Sequence, residues 1–360
     1  MRIAVLVPGL RAYDAVSNDA RQMAAALRGQ GHEVALFAME AHGIDEPVLS
    51  HEALAEWITS PRDVVIYHFC TAWDFPLELF RRIRARRVVR YHNVTPPGFF
   101  RGWSDGYVSA CGNGRKQIAA FARLGCELYL GCSPFNLEDF AAEGVDPARM
   151  AVLAPFHPVE DLAATAPDAR RIPDNGGAPL LLMVGRIVPN KSYLELAEAL
   201  AACVREVDGQ SHLLLVGKLA PALASYGEAF RHRVDQLGLR ERVTLIDDAD
   251  GPTLRAAYAA ATALVMLSAH EGFCVPVIEA LALGTPVVAY GSSAIPWTLG
   301  DAGLIWDDRD AHLVAASVGR IYADPALREH LIARGRARYR DTFAPAVLER
   351  ELADVMRRFD

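Results

Sequence analysis

Short apolar runs alternate with amphipathic stretches along the whole chain. In the first half the runs predict strands at Ile3–Val7, Val34–Ala38, Val64–His68, Val88–His92 and Leu128–Cys132. Between them the spacing predicts helices near Asn18–Arg28, Ala53–Thr59, Leu77–Arg86, Arg115–Leu124 and Asn136–Glu143. The strand runs are apolar at successive positions, as a sheet covered by helices on both faces requires. Around Pro155 to Pro179 the rhythm breaks into prolines, alanines and charges, with the turn signal Asp174-Asn175-Gly176-Gly177. That stretch reads as a linker. A second alternating set follows, with strands at Leu180–Val184, Leu213–Val216, Val243–Ile246, Ala263–Leu267 and Val287–Tyr290, and helices that include Tyr193–Val204 and Phe230–Leu237. The halves share an architecture but no sequence repeat. The expectation is an α/β protein with two doubly wound, Rossmann-like domains facing a central cleft, residues 1–160 and 179–344, joined by a linker at 161–178.

Composition fits that picture and removes several alternatives. A chain of 360 residues exceeds the usual size of one core, and 52% apolar content with mean hydropathy +0.12 indicates a well-filled interior. The net charge of −7 argues against a nucleic-acid partner, which normally calls for a basic surplus. The six cysteines show no metal-ligand spacing and read as buried thiols in a reducing compartment. A strand opens the chain directly, leaving no room for a secretory signal, and no apolar stretch approaches a membrane span. A soluble, cytoplasmic protein is expected.

The most informative chemistry lies in His270-Glu271-Gly272-Phe273-Cys274-Val275-Pro276-Val277-Ile278-Glu279, where two carboxylates stand eight residues apart across a loop-to-helix junction. Pro276 suits a helix's first turn and Gly284 the position just past its end. Glu271 then lies in a loop at the carboxyl ends of the strands, where open α/β sheets bind ligands. Amides at the helix start favour an anion, and carboxylates accept hydroxyl protons. A nucleotide sugar would use both. A Glu near a helix start is often a dipole partner only, but the apolar neighbours Val275, Val277, Ile278, Ala280 and Leu281 argue for burial, and buried carboxylates are rare without a partner.

Val184-Gly185-Arg186-Ile187-Val188-Pro189-Asn190-Lys191 begins where the second domain's first strand ends. Gly185 permits a sharp turn, while Arg186 and Lys191 set two cations at the carboxyl edge to stabilise a departing diphosphate. Gly9, after the first strand, reads as a turn that permits close backbone approach. The Gly-x-Gly-x-x-Gly fingerprint is missing, which disfavours dinucleotide oxidoreduction. His92 ends the fourth strand, a place where a lone histidine is more often a structural hydrogen bonder. The Asp-x-Asp pairs Asp248/Asp250 and Asp308/Asp310 could bridge a divalent metal to a diphosphate, but each precedes a helix, and capping explains them more cheaply. The arginines of Arg81 to Arg90 read as a solvated helix face running into a strand, the alternative being a patch on anionic lipid.

Together these residues resemble the retaining glycosyltransferases of family 4, which have the GT-B fold. The likeness rests on Glu271 and Glu279, on Gly185-Arg186 with Lys191, and on the Gly9 turn. It is closer to a bacterial subgroup with Tyr-His-Asn-x-Thr-Pro at Tyr91–Pro96, Gly-Arg-x-x-Pro-Asn-Lys at Gly185–Lys191 and His-Glu-Gly-Phe-Cys-Val-Pro at His270–Pro276. The resemblance implies that Glu271 contacts hydroxyls of the donor sugar, Glu279 the ribose, and Arg186 and Lys191 the diphosphate. His92 would lie beside the transferred sugar, and the backbone of Gly272, Phe273 and Cys274 near it. Gly9 would approach the phosphates or acceptor, and Gly185 would belong to the donor site. It also implies that a C-terminal helix at about 345–360 returns to the first domain. The chain departs from the family pattern at Gly9-Leu10, where many members have two glycines. It departs again at Pro296-Trp297-Thr298, where many have Pro-Glu-Thr and the indole is expected to reshape a cleft wall.

The implied activity is metal-independent transfer, with retention, from a UDP- or GDP-sugar, with no cofactor. The acceptor would be a glycan or lipid-linked molecule in bacterial cell-surface polysaccharide or glycolipid (lipopolysaccharide) assembly. Peripheral contact with the inner membrane face would suit such an acceptor. A nucleotide-sugar epimerase and a non-catalytic nucleotide-sugar-binding subunit are the competing readings. The first would isomerise donor alone, and the second would bind without turnover.

Overall fold

Thirteen strands, all parallel to their neighbours, form two sheets in the computed structural model, which describes residues 1–12 and 14–359. The chain divides into two compact units. The first comprises Met1–Gly98, Tyr107–His157 and the chain from Ala344 on; the second comprises Phe99–Gly106 and Pro158–Phe343.

In the first unit the strands are β1 (Arg2–Arg11), β2 (Glu33–His42), β3 (Val48–Ser50), β4 (Val64–Phe69), β5 (Arg86–Tyr91), β6 (Leu128–Gly131) and β7 (Met150–Val152), in the order β3-β2-β1-β4-β5-β6-β7. Strand order reverses between β1 and β4, which creates a crevice at their carboxyl ends. The core is aromatic, with Phe37, Tyr67, Phe69, Phe80, Tyr91, Phe121 and Phe140 buried together. Register sets His68 of β4 opposite Arg90 of β5.

The second unit holds β8 (Leu180–Val184), β9 (His212–Val216), β10 (Val243–Ile246), β11 (Ala263–Met266), β12 (Val287–Tyr290) and β13 (Leu304–Trp306), in the order β10-β9-β8-β11-β12-β13. Here the reversal falls between β8 and β11, the two strands that lead into the Gly185–Lys191 and His270–Glu279 segments.

Several local expectations change. Gly9 lies inside β1, paired with Glu40, and not in a turn. β1 outruns β4, whose pairing with it ends at Leu6, and the β2 register skips Pro8, so proline's missing N–H interrupts no ladder there. The helix expected from Arg115 starts at Asp105, its first half concealed by Gly106, Gly112 and Gly114. Gly114 serves packing, because a Cβ there would meet a Val94 methyl at 3.0 Å. Residues 161–178, expected as linker, fall within the second unit, where helix Val159–Ala164 packs on helix Val275–Leu283. Among the described residues no helix is long and apolar enough to cross a membrane.

Candidate functional site

Two loops meet at the reversal point of the second sheet. The loop after β8 is drawn close to β9: Gly185 N donates to Val216 O at 2.9 Å, and a Cβ on Gly217 (φ +155°) would overlap the Gly185 carbonyl at 1.9 Å. Beyond Gly185 a single turn of 3₁₀ helix, Pro189–Lys191, ends at Ser192 in the left-handed region. Asn190 ties this loop to the one after β11, donating through Nδ2 to His270 O at 3.0 Å and accepting at its own carbonyl from Ala269 N at 2.8 Å. The tie brings Lys191 and Glu271 together across 80 positions of sequence, with Nζ to Oε1 at 2.6 Å and each side chain 12% exposed. Burial alone would push the Lys191 ammonium down, but the Glu271 carboxylate outweighs it, and the net position is above the ordinary value. Arg186 is exposed beside this pair and makes no hydrogen bond or ion pair with another described residue.

Glu271 is fixed from behind, its N–H donating to Ser293 Oγ at 2.8 Å. Cys274 begins helix Val275–Leu283 with φ 80° and no side-chain cap. The amides of that first turn therefore lack the side-chain oxygen that Ser, Thr or Asp supplies in most helices. Helix position matches expectation, with Pro276 in the first turn and Gly284 (φ 78°) at the end. Thr298 Oγ1 donates to Phe273 O at 2.6 Å, and Trp297 packs edge-on against Phe273 and Phe343. Glu279 accepts a 2.6 Å hydrogen bond from the buried Tyr258 hydroxyl; burial raises its carboxyl, and that bond only partly offsets the effect. The thiol of Cys274 is pushed up by burial and feels Glu271, Lys191 and Glu279, so these groups share one small region.

Among the described residues, four that are not glycine have positive φ: Asn93, Ser192, Cys274 and Ser293. Each follows the carboxyl end of a strand, the edge where strain is retained for binding in many proteins.

In the first unit His92 is almost enclosed, its side chain 8% exposed. Nε2 lies 3.0 Å from His68 Nδ1 and 3.4 Å from Asp19 Oδ2, and Nδ1 lies 3.5 Å from Cys132 Sγ. Arg90, fully buried, donates from Nε to Asp19 Oδ2 at 2.9 Å. Arg90 thus corrects the solvated reading of the arginine run. Arg87 pairs with Glu127 and Arg86 reaches Phe359 O, so only Arg81, Arg82 and Arg84 remain exposed. Asp250 caps helix Gly251–Ala260 through Thr253 N, and Asp310 caps helix Ala311–Ala323 through His312 N and Leu313 N.

Tyr258, Asn190, Ser293, Asp19 and His68 were not singled out from sequence. His68 carried a usable signal, a histidine inside an otherwise apolar strand. Asp19 and Tyr258 lie in amphipathic helices where either would pass for surface or core.

Each unit carries one parallel, doubly wound sheet, and this pair of sheets defines the GT-B fold class. Residues 166–338 match the family model described as glycosyl transferases group 1. It is similar to the O-antigen chain mannosyltransferase B of Escherichia coli, 31% identical over 160 residues, 43% of this chain and 40% of that one. It is also similar to the D-inositol 3-phosphate glycosyltransferase of Corynebacterium glutamicum, 29% identical over 195 residues, 51% of this chain and 46% of that one. The matched stretch thus spans under half the length of each relative. Among solved structures, Anabaena Alr3699/HepE in complex with UDP and glucose aligns with TM-score 0.80 at 16% identity, covering 99% of this chain and 100% of that one.

Proposed function

We propose that this chain is a retaining, metal-independent glycosyltransferase acting on a UDP- or GDP-sugar, with a glycan or lipid-linked acceptor of bacterial cell-surface polysaccharide or glycolipid assembly. The observation that carries the reading is the grouping of Arg186, Lys191, Glu271 and an uncapped helix start at the reversal point of the second sheet. A nucleoside diphosphate needs fixed cations and amides for its phosphates, and a sugar needs carboxylates for its hydroxyls. The relatives, an O-antigen chain mannosyltransferase and a D-inositol 3-phosphate glycosyltransferase, support the substrate class.

In this reading the diphosphate lies on Arg186, Lys191 and the amides about Gly185. Glu271 accepts hydroxyls of the transferred sugar beside the backbone of Gly272, Phe273 and Cys274. Glu279, oriented by Tyr258, accepts the ribose. The anomeric C–O bond to phosphate breaks while the acceptor oxygen bonds to the same carbon on the same face, and the acceptor's proton passes to the departing phosphate. Arg186 and Lys191 stabilise the charge that grows on that leaving group. His92 is the first unit's residue assigned to the transfer step, and Gly9 the backbone position assigned to phosphate or acceptor. Arg81, Arg82 and Arg84 are assigned to anionic lipid at the inner membrane face; cosedimentation with anionic but not neutral vesicles tests that part.

The main test is a thermal-shift screen of nucleotide sugars, where a ligand at a hundred times its dissociation constant stabilises by about 2.7 kcal/mol. Arg186→Ala should then weaken the best nucleoside diphosphate by about 1.5–3 kcal/mol, the range for a charge-assisted contact. Since Arg186 is exposed and unpaired, folding should not change. Equal affinity in wild type and variant would remove the phosphate assignment.

A further inference from the structure

The proposed function leaves a buried polar cluster of the first unit unexplained. His68 is the penultimate residue of β4, beside the point where strand order reverses. Asp19 comes from helix Ala15–Gly29, Arg90 from β5, and Cys132 follows β6. Asp19 is held on both oxygens, Oδ2 by Arg90 Nε at 2.9 Å and Oδ1 by Phe156 N at 2.7 Å. Arg90 Nη1 in turn donates to Leu153 O at 2.6 Å. On this base rest two stacked imidazoles, His68 and His92, with ring planes 25° apart. We infer that His68 and Cys132, backed by the Asp19–Arg90 pair, are positioning residues that hold the His92 ring in one orientation and one tautomer, with its proton on Nε2.

The tautomer follows from what each neighbour can offer. Burial pushes the Cys132 thiol up to about 12, so it is present as S–H and can donate to His92 Nδ1. A nitrogen that accepts there leaves the ring proton on Nε2. Asp19 can only accept, and it lies nearer His92 Nε2, at 3.4 Å, than His68 Nδ1, at 3.6 Å. His68 Nδ1 then accepts at 3.0 Å, and the His68 proton moves to Nε2, a buried atom with no hydrogen-bond partner among the described residues. Both rings are neutral at pH 7: burial, with Arg90 adding to it, outweighs the pull of Asp19, lowering His68 to about 4 and His92 well below its usual value. His92 is therefore offered as a fixed neutral ring and not as an acid. A transition metal is the rival occupant, since Asp19, His92 and Cys132 lie close enough to share one. Arg90 and Phe156 already engage both Asp19 oxygens, and the guanidinium charge would repel the ion.

The link to turnover rests on the assignment of His92 above; the tautomer does not. The experiment is histidine ring ¹⁵N NMR of the full chain, with His92 assigned by loss of its signals in His92→Gln. The expected wild-type pattern is one protonated Nε2 and one bare Nδ1, constant from about pH 6 to pH 9, where an ordinary histidine titrates near 6.5. His68→Leu should let the ring average its tautomers and titrate, while His68→Asn, which keeps a polar atom near the Nδ1 position, should restore the pattern. Cys132→Ser should preserve it and Cys132→Ala should not. In kinetics His68→Leu should lower kcat at least about tenfold, as slight misplacement of a reacting group does, with KM for the donor unchanged and rescue in His68→Asn. A wild-type Nδ1–H pattern, titration near 6.5, an unaltered pattern in His68→Leu, or stoichiometric metal in the purified chain would each overturn the inference. If His92→Gln turns over normally, the assignment of His92 to transfer fails and the tautomer stands. If His92→Gln is inactive while His68→Leu keeps both pattern and rate, the inference alone fails.

Discussion

Glu271→Gln should do more than remove a sugar contact, because Glu271 is also the counter-ion of Lys191. The two side chains meet at 2.6 Å and are each 12% exposed. Removing one member of a buried pair costs about 3–5 kcal/mol, because the other charge is left uncompensated. Glutamine keeps a carbonyl oxygen for Nζ, so the low end, about 3 kcal/mol, applies. For a unit of roughly 200 residues, each kcal/mol moves a melting transition by about 2–4 °C. Calorimetry should therefore show the second-unit transition falling by about 6–12 °C. Lys191→Met should fall comparably. The double variant Lys191→Met/Glu271→Gln should be more stable than the sum of the single losses predicts, with a coupling of about 2 kcal/mol, within the range for residues in contact. Strict additivity would show that the pair is not formed in solution. The cycle also tests the division of labour between the carboxylates. If Glu271 governs Lys191, its loss changes nucleoside-diphosphate affinity as well as turnover, which calorimetric titration with the free nucleotide measures directly.

Tyr258→Phe removes the hydroxyl that orients Glu279 and should weaken nucleoside-diphosphate binding about tenfold, the worth of one hydrogen bond, with Glu271-dependent steps intact; titration calorimetry reads it. Asp19 is shifted the other way from Glu279. Burial opposes its charge, but Arg90 holds the carboxyl below its ordinary 3.8, so it adds stability above that value and loses it as pH falls through the lower folded one. Acid unfolding of the first unit should therefore be less steep below about pH 4 in Asp19→Asn, even though that variant starts less stable. Turnover in a chelator should equal turnover with added Mg²⁺, since Asp250 and Asp310 are engaged as helix caps; activity that returns only with metal would reverse this.

The alternation of apolar runs located both sheets because buried parallel strands must be apolar on both faces. It failed at β3, β7 and β13, each three residues long and too short to carry a period. Candidate residues at loop–helix junctions were legible for the same reason that strand ends were: Gly185, Lys191, Glu271 and Glu279 follow or flank apolar runs. Their pairing was not. Nothing local in Lys191 names Glu271 as its partner, since the contact depends on strand order and on Asn190 joining two distant loops. The cluster around His92 was hidden differently. Its members lie inside segments dominated by core residues, and a buried charge pair such as Asp19–Arg90 leaves no periodic trace.

Trp297 packs edge-on to Phe273, two positions beyond Glu271, with ring centres 6.0 Å apart, and to Phe343, the last residue of the second unit. An indole so placed is a native optical probe. Its emission depends on the packing and polarity around Phe273, so any rearrangement of the His270–Cys274 loop carries a signal without an added dye. The chain has five tryptophans. Replacing Trp57, Trp73, Trp103 and Trp306 with phenylalanine would leave Trp297 alone to report loop motion in stopped-flow time, separating the arrival of a ligand from any slower rearrangement of the loop around it.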